Sequence, residues 1–377
     1  MAQSLSIKSH FRKLPDPRRR HCREHLLLDV IVIAICAVIG NADSWRAIAL
    51  WGRTHETWLR RFLTLPNGIP SHDTFRRILA RLDPVAFDAC LRRWLLELRG
   101  VLNVSHIAID GKSLRGSASS SLGPLHLVSA WATQYHLSLG QVAVDAKSNE
   151  ITAIPQLLEA LDLHGALVTI DAMGCQKAIA AKIVERGGDY LLTVKDNQEH
   201  LREDIEACLK QMLEQGVADK DYYSCEQVER GHGREELRSY VVVPDPEGIR
   251  NQQEWRKLSV VGMCYCERTV QGQTSCETRY FIGSKKAGAR YYGRRLRDHW
   301  KIENHLHWQM DVSFAEDGHQ TVDRQAAANL AIIRKTALSL LKHYPNKESI
   351  RNRRQQAGWD MDFLEAVLRG AGNSGNS

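Results

Sequence analysis

The stretch Ala166–Asp171, ALVTID, is an apolar and β-branched run that ends on an acid, and Ser105–Asp110, SHIAID, ends in the same way. Runs of this composition predict short buried β-strands. Gly111 follows the first run and Ala172 follows the second. We therefore expect two strands of one sheet that each carry an aspartate at the carboxyl end.

The neighbouring segments predict how these two strands are arranged. The strand-like runs LHLVSAWAT and LSLGQVAVD follow the first strand, and DYLLTV follows the second. The helical patterns IPQLLEALDL and QKAIAAKIVERGG precede ALVTID and DYLLTV. The order strand, strand, strand, helix, strand, helix, strand indicates a mixed α/β (α+β) sheet with helices on its faces. Strands one and four are neighbours in that topology, so Asp110 and Asp171 can meet.

Two close carboxylates indicate a metal site. Each aspartate alone could be an ordinary cap, Asp110 of a turn at Gly111 and Asp171 of a helix near Gln176. Together they would repel unless a divalent cation held them, and hard oxygen ligands favour Mg²⁺ or Mn²⁺. We predict a Mg²⁺ site, with Mn²⁺ as a substitute, that cleaves phosphodiesters by a two-metal route.

The segment His299–Asp311, HWKIENHLHWQMD, contains our candidate for the third acid, Glu303. Asp311 and Glu316 are the alternatives. We predict one uninterrupted helix over Ala289–Phe314. On such a helix, residues three, four or seven positions from Glu303 lie on the same face, and the mixed polar and apolar character of that face is typical of the rim of a site. These residues are His299, Trp300, His307 and Met310.

Zinc is not expected at this segment. His305 and His307 are two apart and point to different sides of a helix, so they cannot converge with His299. Cys264, Cys266 and Cys276 fit no common zinc pattern either.

The charge distribution indicates a polyanionic partner. The net charge is +7 and the pI is about 8.9. Basic residues cluster in FRKLPDPRRRHCREH, ARYYGRRLRDHWK and SIRNRRQQ. Separated clusters suit a long nucleic acid better than a small acidic ligand. The predicted phosphate contacts are Lys112, Arg115, Lys195, Arg294, Arg295, Arg297 and His299, and Arg76 and Arg77 lie on a short helix that could read DNA.

Composition also excludes some classes of protein. Nine cysteines without a CxxC pair favour a reducing cytosol over a disulfide framework. The most apolar stretch, Leu26–Gly40, is too short to span a bilayer and contains Asp29. No apolar core precedes the first basic run, so no signal peptide is expected. We expect a cytoplasmic protein at the nucleoid, without a membrane partner.

Four motifs resemble one family. IAIDGKSLRGS, the stretch from ITAIPQ to TVKDNQ, RGHGREELR and DHWKIENHLHWQMDVSFAEDG are similar to the insertion-sequence DDE transposases of the H-repeat-associated (ISAs-type) family. The resemblance implies an RNase H-like catalytic domain in which Asp110, Asp171 and Glu303 hold the metal. It implies cleavage at the ends of a transposon, transfer of the 3′-hydroxyl to target DNA, and assembly as a homodimer or higher on double-stranded DNA.

The resemblance also sets expected domain bounds. These are a helical N-terminal domain over 1–102, a catalytic domain over 103–345 with a β-rich insertion at about 200–288, and a basic, partly disordered tail over 346–377. Related transposases often carry Tyr, Arg and Lys at positions minus seven, minus four and plus seven from the glutamate. Here those positions hold Leu296, His299 and Met310.

Two other functions fit the same residues. One is a catalytically silent, transposase-derived protein that binds DNA in a regulatory role. The other is a metal nuclease that recognises a nucleic-acid structure rather than transposon ends.

Overall fold

The computed structural model describes residues 7–101, 103–144, 148–215, 223–231 and 233–370. The chain divides into two compact units. Unit 1 comprises Met1–Asn103, Gly111–Ser148 and Glu303–Ser377, and unit 2 comprises Val104–Asp110 and Asn149–Ile302.

The first hundred residues of unit 1 are helical, as the sequence predicts. The helices are α1 Ile7–Phe11, α2 Leu27–Ile39, α3 Trp45–Thr54, α4 Glu56–Leu59, α5 His72–Leu79 and α6 Pro84–Leu98. Ser71 follows Pro70 and precedes a run at helical spacing, so the sequence predicts an N-cap there, and its side chain accepts a hydrogen bond from the Thr74 amide at 3.2 Å. The sequence also predicts one helix over Ser44–Trp58, which is interrupted at His55.

The apolar helix α2 lies in the core of unit 1. From Val30 to Ile39 its residues are almost fully buried, and α2 packs against a later helix, α12 Arg324–His343. Across the described ranges, no helix is long and apolar enough to cross a membrane.

The end of unit 1 contains one helix more than the sequence indicates. The sequence predicts one helix in the tail, over 360–369, which is present as α14 Met361–Arg369, and α13 Ile350–Trp359 precedes it. The residues of α13, IRNRRQQAGW, show no apolar stripe, so periodicity could not reveal this helix. The predicted disorder of GAGNSGNS falls, apart from Gly370, outside the described residues.

The strands form a mixed nine-stranded sheet in the order β3-β2-β1-β4-β5-β9-β8-β7-β6. Strand β1 is parallel to β4, and β4 to β5, whereas β2 and β3 are antiparallel. The strands are β1 His106–Leu114, β2 Leu125–Ala132, β3 Leu137–Ala143, β4 Leu167–Ile170, β5 Asp189–Val194, β6 Ser224–Gly231, β7 Arg234–Pro244, β8 Val260–Val270 and β9 Gln273–Gly283.

The order β3-β2-β1-β4-β5 is that of an RNase H-like sheet, so the expected fold class is confirmed. Strands β6–β9 extend it through antiparallel pairs, beginning at β5 and β9. The helices of unit 2 are α7 Glu150–Glu159, α8 Lys177–Glu185, α9 Glu199–Gln215 and α10 Ala289–His299.

The helix expected over Ala289–Phe314 is not continuous. Helix α10 ends at His299, a π-helical turn covers Glu303–His307, and α11 runs from Trp308 to Phe314. A π-helical turn adds a residue to the turn, so spacing of three, four or seven no longer marks one face. Met310 is fully buried whereas Glu303 is exposed. The expectation that Met310 shares the face of Glu303 is therefore wrong.

Candidate active site

The carboxyl ends of β1 and β4 bring two acids to adjacent positions. The strands pair in parallel with Ile109 opposite Ile170, so the next position of this register sets Asp110 opposite Asp171. Neighbouring strands are about 4.8 Å apart. Both aspartates are half-buried. The prediction that strands one and four are neighbours is confirmed.

The local roles of the two aspartates differ from the two caps that the sequence suggests. Strand β1 continues through Gly111 to Leu114, so Asp110 does not begin a turn. Asp171 accepts a hydrogen bond from the Met173 amide at 3.2 Å and caps the short 3₁₀ turn Ala172–Gly174, not a helix near Gln176.

The electrostatics of Asp171 favour a nearby cation. Burial and then the charge of Glu150 raise the pKa of Asp171 above its ordinary value, although the amides of Gly174 and Met173 act in the opposite direction. Its charged form is therefore less favourable in folded unit 2 than in the unfolded chain. A positive ion beside it would reverse that effect.

Glu303 is the first residue of the π-helical turn and is exposed. Within unit 1 this turn is held by the fully buried Leu306 and by His305, whose Nδ1 lies 3.1 Å from Nδ1 of His136. Turns of this kind occur often at functional sites.

The two alternative third acids lie in an ion cluster. The Lys112 ammonium is 2.6 Å from Asp311, 3.5 Å from Asp317 and 3.7 Å from Glu316. Glu316 is nearly fully buried and also lies 3.9 Å from Arg334. Burial lowers the pKa of Lys112, but the bond to Asp311 and the other carboxylates raise it overall. Asp311 and Glu316 already have cationic partners, Lys112 for both and Arg334 for Glu316, so Glu303 stays the predicted third acid.

The predicted phosphate contacts differ in exposure. The exposed residues are Arg76, Arg77, Arg115, Lys195 and Arg294, although Arg76 also lies 3.4 Å from Asp73 and Arg115 lies 3.5 Å from Asp317. The residues already engaged are Lys112 in its acid cluster, Arg295 with Asp298 at 3.7 Å, and Arg297 with Glu229. Exposed guanidinium and ammonium groups are the more accessible to a phosphate backbone.

His299 has a partner inside the protein. Its Nδ1 lies 2.8 Å from the Thr169 hydroxyl, and burial lowers its pKa to about 4. An imidazole that is neutral at pH 7 carries no positive charge with which to attract a phosphate. The same hydroxyl lies 3.0 Å from Nε2 of His106, whose pKa burial lowers to about 3.

Sequence reasoning did not single out His106 or Thr169. The available signal was one polar residue inside each apolar run, in SHIAID and in ALVTID. A polar side chain in a buried strand needs a partner, and here each is the partner of the other.

Acidification is expected to destabilise the protein through these histidines. Unfolded histidine binds its proton near pH 6.5, whereas His299 does so at about 4 and His106 at about 3. The unfolded state thus binds more protons below pH 6.5, so stability is lost as the pH falls through this window. The loss at pH 5 is roughly 2 kcal/mol per histidine.

Thermal unfolding at pH 7 and pH 5 checks this expectation. His299→Asn lacks the titrating ring and should lose less stability on acidification than the wild type. His21→Asn, at an exposed position, is the control and should match the wild type. An equal acid loss in all three proteins would contradict the assignment.

No group of three or more His, Cys, Asp or Glu side chains is placed to hold a metal within the part of the chain that the structure describes. The structure brings Asp110 and Asp171 to neighbouring positions, and the membership of Glu303 stays a prediction.

The sheet order and the paired strand-end acids define an RNase H-like protein. Comparison with known families gives a match to "Transposase DDE domain" over residues 104–340 and to "DDE_Tnp_1-associated" over residues 8–95. The chain belongs to the DDE transposase family.

Comparison with individual proteins gives matches in sequence and in structure. The chain is 37% identical to the protein named "H repeat-associated putative transposase YhhI" of Escherichia coli (strain K12), over 98% of this chain and 99% of that protein. It is 43% identical to "Uncharacterized protein in dhlA 3'region" of Xanthobacter autotrophicus, over 74% of this chain and 95% of that one. A cryo-EM structure of the piggyBac transposase synaptic complex with hairpin DNA matches with a TM-score of 0.42 and 9% identity, covering 97% of this chain and 77% of that one.

Proposed function

We propose that this transposase hydrolyses phosphodiester bonds at the ends of a transposon and joins the freed 3′-hydroxyl to target DNA. The observation that carries the proposal is the β1–β4 register, which sets Asp110 beside Asp171 at one sheet edge. Membership of the DDE transposase family supports the assignment.

The donor chemistry of the two aspartates fits a divalent cation. Both supply hard carboxylate oxygens, and burial makes the charge of Asp171 unfavourable without a counter-ion. Asp110 and Asp171 would hold Mg²⁺ or Mn²⁺, with Glu303 as the third ligand. The ion would supply Lewis acidity and lower the pKa of the attacking water.

The role of the chain itself is to position DNA against these acids. Lys195 follows β5, the strand next to β4, and is exposed. Its charge acts on Asp171, so its ammonium is suited to a phosphate beside the acids. Duplex DNA would bind along the exposed basic groups, and two or more copies of the chain would hold the two transposon ends.

Helix α5 is a second proposed DNA contact, with an expected signature in salt dependence. Arg76 and Arg77 are exposed, whereas Phe75, Ile78 and Leu79 on the other side of α5 are buried. Replacing both arginines with alanine should weaken binding and reduce the slope of log K against log salt by about 2, since each phosphate contact contributes about 0.9.

Fluorescence anisotropy with a labelled duplex over a salt series measures this slope. Arg93→Ala is the matched control, because Arg93 is an exposed arginine of the same unit on α6. A slope that Arg76→Ala/Arg77→Ala leaves unchanged would remove α5 from the DNA-binding surface.

The reaction is tested with duplexes that carry the inverted repeats flanking the gene. We expect Mg²⁺-dependent 3′-hydroxyl ends, joined products with a target plasmid, and no reaction in EDTA. Binding without cleavage in Mg²⁺ or Mn²⁺ would identify a silent regulatory protein. Preference for branched or RNA–DNA hybrid substrates would identify a structure-specific nuclease.

A further inference from the structure

Two buried side chains and one half-buried side chain of unit 2 form one hydrogen-bonded group, His106–Thr169–His299, in which His299 is the half-buried member. The Thr169 hydroxyl lies 3.0 Å from Nε2 of His106 and 2.8 Å from Nδ1 of His299. His106 is fully buried and Thr169 is 2% exposed. The group connects β1, β4 and α10.

The group lies on the face of the sheet that carries the paired acids. Side chains separated by an even number of residues point to the same face of a strand. His106 precedes Asp110 by four residues on β1, and Thr169 precedes Asp171 by two at the end of β4. Helix α10 packs against β4, and its last residue is His299, four before Glu303.

The numbers of hydrogens and lone pairs on the Thr169 hydroxyl limit the hydrogen bonds that this group can make. A threonine hydroxyl has one hydrogen to donate and two lone pairs to accept. The Thr169 hydroxyl also lies 3.5 Å from the Ile107 carbonyl, so it accepts from at least one imidazole and donates its hydrogen either to the other ring or to that carbonyl. Both rings are neutral at pH 7, because burial keeps each pKa low. The tautomers of the two rings are therefore coupled through one hydroxyl group.

We propose that Thr169, His106 and His299 are positioning residues that fix the end of α10 on β1 and β4, and so set the entry of the chain into the turn of Glu303. The inference rests on the proposed function and adds residues that touch no reacting atom. In this inference His299 binds Thr169 inside the protein. His299 occupies the position, four residues before the glutamate, at which related transposases often carry arginine.

Matched substitutions separate positioning from DNA contact. Thr169→Val removes the hydroxyl at nearly constant volume, and Thr169→Ser restores it. His299→Leu removes the imidazole, and His299→Asn keeps a polar atom near the place of Nδ1. Thr336→Val is the control, because Thr336 is a buried threonine of α12 in unit 1.

The kinetic test measures single-turnover cleavage and DNA affinity on the inverted-repeat duplex. Thr169→Val and His299→Leu should cleave about 100-fold more slowly, as expected when a catalytic group is misplaced by about 1 Å. Their Kd for DNA should stay within two-fold of wild type. Thr169→Ser and His299→Asn should recover most of the rate. A weaker Kd with an unchanged cleavage rate would overturn the inference and make His299 a phosphate contact.

Hydrogen exchange tests the same group without activity. Amides in the last turn of α10 should exchange at least ten-fold faster in Thr169→Val than in the wild type or Thr336→Val. Unchanged exchange there would overturn the inference. If the wild type cleaves no substrate, the proposed reaction fails, and the exchange data still decide whether the group fixes α10.

Discussion

Replacing Asp110 or Asp171 with asparagine is expected to lower the rate of transposon-end cleavage by about 10³-fold or more, which is roughly 4 kcal/mol of transition-state stabilisation. Asparagine matches aspartate in size, and its Oδ1 can still accept the hydrogen bond that Asp171 receives from the Met173 amide. The substitution therefore removes the negative charge and little else.

Stability should change in the opposite direction at Asp171. Burial and Glu150 raise the pKa of this carboxyl, so its charge is less favourable in the folded protein without metal than in the unfolded chain. We expect Asp171→Asn to unfold, in EDTA, at the same temperature as the wild type or a higher one. A site where activity and stability oppose each other is typical of function.

Asp189→Asn is the matched control for both substitutions. Asp189 begins β5, the next strand after β4, and pairs with Lys257 at 2.7 Å at the other end of the sheet. Its asparagine variant should keep cleavage within a few-fold of wild type. Retained cleavage in Asp110→Asn and Asp171→Asn would mean that these acids do not carry the reaction.

The strand pattern of the catalytic core was predictable because it follows from local composition. Apolar runs such as ALVTID have the length and β-branched content of buried strands. The intervening helices then require parallel pairing of β1 with β4, and the structure has that pairing. The proximity of Asp110 and Asp171 follows from topology without any long-range information.

Features that depend on distant partners were not predictable. The π-helical turn at Glu303 interrupts a segment whose residues all suit a helix, and no local signal marks the extra residue. The ion cluster of Lys112 joins positions about 200 residues apart. The hydrogen bond between Thr169 and His299 likewise spans 130 residues. The sequence alone therefore could not distinguish a His299 that contacts phosphate from a His299 that is hydrogen-bonded inside the protein.

The basic run SIRNRRQQ shows why charge clusters alone mislead. Arg351 is exposed, but Arg353 donates hydrogen bonds to the carbonyls of Leu341 and Glu348, and Arg354 is fully buried. Reading the run as a DNA-binding cluster is therefore wrong for two of its arginines. Their donors satisfy helix ends and loops of unit 1.

Replacing Arg354 with methionine is expected to destabilise the protein by about 3–5 kcal/mol, the usual cost of breaking a buried ion pair from one side. Arg354 pairs with Asp43 at 2.6 Å, donates to the carbonyls of Val38 and Ser313, and lies 4.1 Å above the Phe314 ring. Methionine fills the volume but removes the cation beside Asp43 and the guanidinium donors to the Val38 and Ser313 carbonyls.

Urea unfolding followed by circular dichroism measures this loss, with Arg351→Ala as the control from the same helix. Arg351 is exposed, so its removal should change the free energy of unfolding by less than about 0.5 kcal/mol. The folded fraction of Arg354→Met should bind DNA as tightly as wild type. If Arg354→Met instead kept its stability and lost DNA affinity, the run would be a nucleic-acid contact after all. We expect a loss of stability rather than of DNA affinity, because a guanidinium enclosed by Asp43, Val38 and Ser313 cannot also reach a phosphate.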